Sequence, residues 1–127
     1  MFEISVKSRF SAAHHLKGYA GTCASLHGHN WEVEVFLRGE TLNGIGLLMD
    51  FRQVKQALRD VLAELDHSDL NTIGEFRDKN PSSENLARYV YRRLSETIAD
   101  ATCRVHRVAG CETPESRATY WEGAGEA

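Results

Sequence analysis

Three histidines stand where strand geometry can bring them together. His27 and His29 flank Gly28, and residues two apart on a strand point to the same face. His14 shares parity with Phe10 and Ala12 on the preceding apolar alternation. If the two stretches pair as a hairpin, three imidazoles converge. Three imidazoles with one open position are the usual ligand set of a catalytic zinc ion, whereas structural zinc is closed by four protein ligands. The competing reading makes His-Gly-His incidental and His14 a hydrogen-bonded core residue. His15 has the opposite parity and is read as a non-ligand.

Cys23 lies four residues before His27, in Cys-Ala-Ser-Leu-His-Gly-His. A thiol close to a metal-bound substrate can act as a base or nucleophile. The same thiol could be a fourth, closing ligand or a buried packing group, and spacing alone leaves these open. Cys103 and Cys111 complete an odd set without paired spacing, which fits reduced thiols better than a disulfide framework.

The elements that must position these groups are legible from periodicity. Phe2, Ile4, Val6, Ser8 and Phe10 alternate with polar residues, the period of a half-buried strand. A loop marked by Gly18 and Gly21 runs to about His27, and a second strand sets Trp31, Val33, Val35 and Leu37 on one face. After turn material from Gly39 to Gly46, Asp50 with Gln53 three residues on signals a helix start. Its predicted apolar face is Phe51, Val54, Leu58, Val61, Leu62 and Leu65. The stretch from His67 to Ser82 is long for a loop in a compact domain. Pro81-Ser82-Ser83 opens a second helix with a stripe of Leu86, Val90, Leu94 and Ile98. Strands near Thr102–Cys111 and Ser116–Trp121 follow.

The order ββααββ predicts an α+β fold: a four-stranded antiparallel sheet with two helices on one face. One domain over residues 1–122 is expected, with a fraying tail from 123 to 127. Two helices cover one face only, so the other face and the strand edges call for partner subunits and a homo-oligomer.

The chain has 127 residues, the size of one domain. Its 42% hydrophobic and 26% charged residues are ordinary globular values. A net charge of −3 argues against a nucleic-acid binder. No apolar run approaches a membrane span, and the first ten residues lack the apolar block of a signal peptide. A cytoplasmic protein is expected.

Five motifs then occur in one order: Phe10-Ser-Ala-Ala-His14, Cys23-x-x-x-His27-Gly-His29-Asn30, Leu65-Asp66-His67-x-x-Leu70-Asn71, Asn80-Pro81-Ser82-Ser83-Glu84-Asn85 and Glu112-Thr113-Pro114. Together they resemble the 6-pyruvoyltetrahydropterin synthase superfamily. The short Cys-x-x-x-His interval is similar to its 6-carboxytetrahydropterin synthase branch, which serves queuosine and 7-deazapurine biosynthesis.

The resemblance implies a tunnelling fold (T-fold), in which sheets of several subunits close into an oligomeric barrel, commonly a hexamer built as a dimer of trimers with interfacial active sites. It implies a lyase acting on 7,8-dihydroneopterin triphosphate, giving 6-carboxy-5,6,7,8-tetrahydropterin, acetaldehyde and triphosphate. By position, His14, His27 and His29 match zinc ligands, Cys23 the catalytic cysteine, and Asp66 with His67 an acid–base pair that a neighbouring subunit can supply. Glu112 matches the glutamate that grips the pterin ring. Ser82 and Ser83 match pterin contacts, although Ser82 reads equally as a helix cap. Lys17, Arg9 and Arg77 are candidate cations for the triphosphate. Gly110 before Cys111 and Glu112 departs from the family's bulkier strand end and suggests a bulge that shifts the pterin grip. The rival readings are the 6-pyruvoyl synthase of the same fold and a non-catalytic zinc module closed by Cys23.

Overall fold

The computed structural model describes residues 1–98 and 100–123. The expected tail therefore lies outside the described residues from position 124 onward. Among the described residues, seven elements form one sheet and two α-helices: β1 (Phe2–His14), β2 (His27–Gly39), α1 (Phe51–Ala63), β3 (Ser68–Asp69), α2 (Ser83–Thr97), β4 (Arg104–Thr113) and β5 (Ser116–Tyr120).

The apolar alternation makes β1 and β2 a long hairpin, paired antiparallel from Phe2–Gly39 to His14–His27. Both strands reach the histidines, as the parity of His14 with Phe10 and a loop ending near His27 predict. Their inward set is Val6, Phe10 and Ala12 on β1 and Trp31, Val33, Val35 and Leu37 on β2, all buried. Helix α1 packs on β1, and α2 packs on β4 and β5. The helices contribute Val54, Ala57, Leu58, Val61 and Leu62 from α1, and Leu86, Ala87, Val90 and Leu94 from α2. Each large apolar side chain so buried contributes roughly 1.5–3 kcal/mol. Phe51 is the exception to the predicted face. It occupies the first helical position and is 49% exposed, because periodicity gives a direction but not the extent of the cover beneath it.

Asp50 caps α1 as expected, its carboxylate accepting the N–H of Arg52. Ser82 caps α2, accepting the N–H of Asn85. Each such cap stabilises its helix by about 1 kcal/mol.

The predicted antiparallel sheet is present as β1-β2-β4-β5, and the outer strand β3 adds a fifth member, parallel to β1. The sheet is therefore mixed, a correction to the four-stranded expectation. The reason lies in the stretch from His67 to Ser82, which returns along the free edge of β1 instead of looping into solvent. It carries β3 and two short 3-10 turns, Leu70–Thr72 and Gly74–Phe76, and anchors itself by burying Leu70 and Phe76.

The face of the sheet away from the helices is polar. Glu32 pairs with Lys7 at 3.8 Å and Arg9 at 3.4 Å, and Glu34 with Arg117 at 3.7 Å. Glu3 binds Arg38 at 2.7 Å and lies 3.6 Å from Arg107. Water can solvate such a face unaided. The need for a partner thus falls on the edges: among the described residues, β1 has a neighbouring strand on its outer side only at Ala12 and Ala13.

Candidate metal centre

The β1–β2 register sets His14 opposite His27 and Ala12 opposite His29. The three imidazoles share the helix-facing parity of Phe10, Ala12 and Trp31. Each offers a ring nitrogen, and these nitrogens all lie within 4.8 Å of one another. Trp31 forms the floor, its ring edge-on to His14 at 4.9 Å and to His29 at 5.5 Å between centroids. Its indole N–H donates to the Ala12 carbonyl at 3.3 Å.

Two backbone carbonyls set the tautomers. Pro81 accepts from Nδ1 of His14 at 2.7 Å, and Ser25 accepts from Nδ1 of His27 at 2.7 Å. A carbonyl can only accept, so Nδ1 carries the proton and Nε2 keeps its lone pair, the arrangement typical of metal-binding histidine. Nε2 of His14 and Nε2 of His29 are buried and without a hydrogen-bond partner. Such orphaned atoms require an explanation, and a cation bound by three neutral imidazoles supplies one. Burial holds the pKa of both His14 and His29 below the ordinary histidine value, which favours the neutral, ligating form. The residues present fit a metal ion.

Glu112 sits at the rim, with one carboxylate oxygen 3.5 Å from Nε2 of His29 and the other accepting from the Ser83 hydroxyl at 3.3 Å. Gly110 packs beneath the start of α2, where an added Cβ would meet the Ser83 carbonyl at 3.4 Å, an ordinary van der Waals contact. The β4–β5 ladder shifts register between Gly110 and Thr113, the bulge anticipated at this strand end. Ser82 and Ser83 therefore part company. Ser82 spends its hydroxyl on the cap of α2, while Ser83 reaches the rim carboxylate.

Cys23 lies in a 3-10 turn, Thr22–Ala24, half-buried and a free thiol. Among the described residues it does not join the three-histidine group, so the fourth position is left to something else. Asp66 and His67 pair with each other, Oδ2 to Nδ1 at 2.9 Å, but the His67 side chain is 82% exposed. It shares a shallow depression with Ser11, Ala12, Ala13, Gly28, His29 and Asn30. Ser11 and Ala13 have the parity opposite to His14. Within one protomer the depression reaches His29, but among the described residues neither Asp66 nor His67 joins the three-histidine ligand group. His15 does not join the three-histidine group among the described residues, and its backbone is held by Asn71. Of the candidate cations, Arg9 points to the polar face and pairs with Glu32, while Lys17 and Arg77 are exposed.

Sequence reasoning missed Trp31 as the floor, the Pro81 carbonyl as the orienter of His14, and the side-chain amides of Asn71 and Asn80. The parity of Trp31 with His29 and the position of Pro81 at a helix start were visible signals. The backbone-binding role of the two asparagines carried none.

With this geometry in hand, comparison with known proteins is informative. Residues 3–123 match the family described as 6-pyruvoyl tetrahydropterin synthase. A putative 6-carboxy-5,6,7,8-tetrahydropterin synthase of Archaeoglobus fulgidus is 37% identical over 93 residues, 73% of this chain and 76% of that protein. A dihydroneopterin monophosphate aldolase of Pyrococcus furiosus is 35% identical over 95 residues, 75% of this chain and 76% of that protein. The solved structure of Caenorhabditis elegans 6-pyruvoyl tetrahydropterin synthase superposes with a TM-score of 0.86 at 28% identity, covering 96% of each chain.

Proposed function

Since the chain belongs to the 6-pyruvoyl tetrahydropterin synthase family, we propose that it is a zinc-dependent lyase converting 7,8-dihydroneopterin triphosphate to 6-carboxy-5,6,7,8-tetrahydropterin, acetaldehyde and triphosphate. The observation that carries the reading is the trio of His14, His27 and His29, with the Nε2 atoms of His14 and His29 buried and unpartnered and no fourth residue in the group among the described residues. That is the pattern of a catalytic rather than a closed structural site. The relatives span carboxy, pyruvoyl and aldolase enzymes, and the short Cys23-to-His27 interval favours the carboxy branch, hence a place in queuosine or 7-deazapurine biosynthesis.

His14, His27 and His29 would hold the zinc, which when bound supplies Lewis acidity that acidifies C–H bonds along the substrate side chain. Glu112 accepts the ring N–H and 2-amino group of the pterin as two parallel bonds, with Ser83 holding its other lone pairs in place. Cys23 moves a proton at the side chain. A proton mover on the opposite face is also required, and Asp66 with His67 fills that role from a neighbouring protomer. Their outward exposure and the open edge of β1 support a homo-oligomer with shared sites, a dimer of trimers by family resemblance, working in the cytoplasm.

Cys23→Ala tests this against a zinc module. The expected variant keeps one metal per protomer and its oligomer, yet loses triphosphate release roughly 100-fold or more. Retained turnover would remove Cys23 from the chemistry, and loss of metal would make it a ligand.

A further inference from the structure

Every second residue at the end of β1 has its backbone groups bound by the segment that follows α1. Ser11 donates its N–H to Asp66 at 2.9 Å and accepts from the His67 N–H at 2.6 Å. Ala12 and Ala13 pair with Ser68 and Asp69 of β3. Beyond β3 no strand continues, and two side-chain amides take its place. Asn71 accepts the His15 N–H at 2.9 Å and donates to the His15 carbonyl at 3.1 Å. Asn80 accepts the Lys17 N–H at 2.8 Å and donates to the Lys17 carbonyl at 2.9 Å. A primary amide carries the same donor and acceptor as a peptide group, so each asparagine imitates one strand residue.

The residue between the two clamped positions reaches the cysteine directly: Leu16 donates its N–H to the Cys23 carbonyl at 2.8 Å. The loop bearing Cys23 therefore hangs from a three-residue stem that Asn71 and Asn80 hold. Asn80 is itself fixed, because its carbonyl accepts from the Asn85 side chain at 2.8 Å. The next residue, Pro81, supplies the carbonyl that orients His14. One short segment thus touches both the metal trio and the stem of the cysteine loop.

We propose that Asn80 is a positioning residue for Cys23, setting the thiol's place relative to the histidine trio by holding the Lys17 backbone. The proposal rests on the catalytic reading of Cys23 given above. Misplacement of a reacting group by an ångström costs up to roughly 100-fold in rate, while substrate binding through Glu112 and the metal content involve other groups.

The test uses Asn80→Leu, of similar shape but without polar atoms, and Asn80→Asp, which keeps the acceptor for the Lys17 N–H. In the metal-loaded wild type and variants, iodoacetamide alkylation of Cys23 and deuterium exchange at residues 15–17 are followed by mass spectrometry, beside metal content and turnover. The expected Asn80→Leu protein keeps its metal, exchanges the stem amides faster and alters the Cys23 alkylation rate severalfold. Its kcat falls roughly 10- to 100-fold with KM within about threefold, and Asn80→Asp recovers part of the loss. Wild-type exchange and alkylation in Asn80→Leu would overturn the proposal, as would a rate loss explained wholly by lost metal. The exchange and alkylation arms need no pterin. A wild type that does not turn over would defeat the function proposed above while leaving the clamp decided by those arms. If Asn80→Leu does not fold, Asn80→Asp decides by the same comparison.

Discussion

The Pro81 carbonyl and Nδ1 of His14 lie 2.7 Å apart in a buried contact between residues 67 positions apart in sequence. The contact joins the N-terminal approach to α2 with the end of β1, and by fixing the His14 tautomer it aims Nε2 at His27 and His29. Its counterpart, Ser25 with His27, is local and exposed. The two ligands therefore differ in how much of the fold they hold.

That difference predicts a split between metal binding and stability. His14→Ala and His27→Ala each lower bound metal to roughly a tenth of an equivalent or less after dialysis, since two imidazoles make a poor zinc site. Only His14→Ala also orphans a buried carbonyl, at about 1–3 kcal/mol in the metal-free protein. Metal analysis and thermal melting of the apo variants read the two effects separately.

Ser82 and Ser83 are adjacent and opposite in function. Ser82→Ala removes the α2 cap and destabilises the protein by about 1 kcal/mol, with kcat and KM close to wild type. Ser83→Ala leaves the cap, loosens Glu112 and raises KM for the pterin substrate, with little change in melting temperature. Steady-state kinetics beside melting curves distinguish them.

How far these roles could be read in the sequence depends on the kind of contact. Strand parity placed His14, His27 and His29 on one face, and the register His14–His27 is one that those two alternations allow, with turn geometry choosing among registers two residues apart. Helix caps at Asp50 and Ser82 were equally readable from residue type. Strand β3 was not, because two residues have no periodicity. Nor were the Asn71 and Asn80 clamps, since an amide binding distant backbone leaves no pattern along the chain. Family resemblance, not spacing, singled out Asp66 and His67. Their exposure shows why: among the described residues they stay outside the three-histidine ligand group.

The Asp66 carboxyl is held below the ordinary carboxylate value, chiefly by the Ser11 backbone N–H and then by the His67 ring. In the window between its native value and the unfolded value of about 3.9, the unfolded chain binds more protons. The contribution of Asp66 is therefore present above that unfolded value and is lost as pH falls through the native one. Asp66→Asn is expected to lower stability at neutral pH slightly and to converge on wild type at the acid end. Melting temperatures across the acid limb check the sign.

The central claim is a three-histidine zinc site at which a pterin triphosphate is cleaved. The most direct measurement incubates the zinc-loaded oligomer with 7,8-dihydroneopterin triphosphate, without added reductant, and identifies the products by mass spectrometry. The account predicts 6-carboxytetrahydropterin with acetaldehyde and triphosphate, abolished by a chelator and restored by zinc. A 6-pyruvoyl product would contradict the assigned branch, and no turnover by the folded, zinc-replete oligomer would contradict the claim itself.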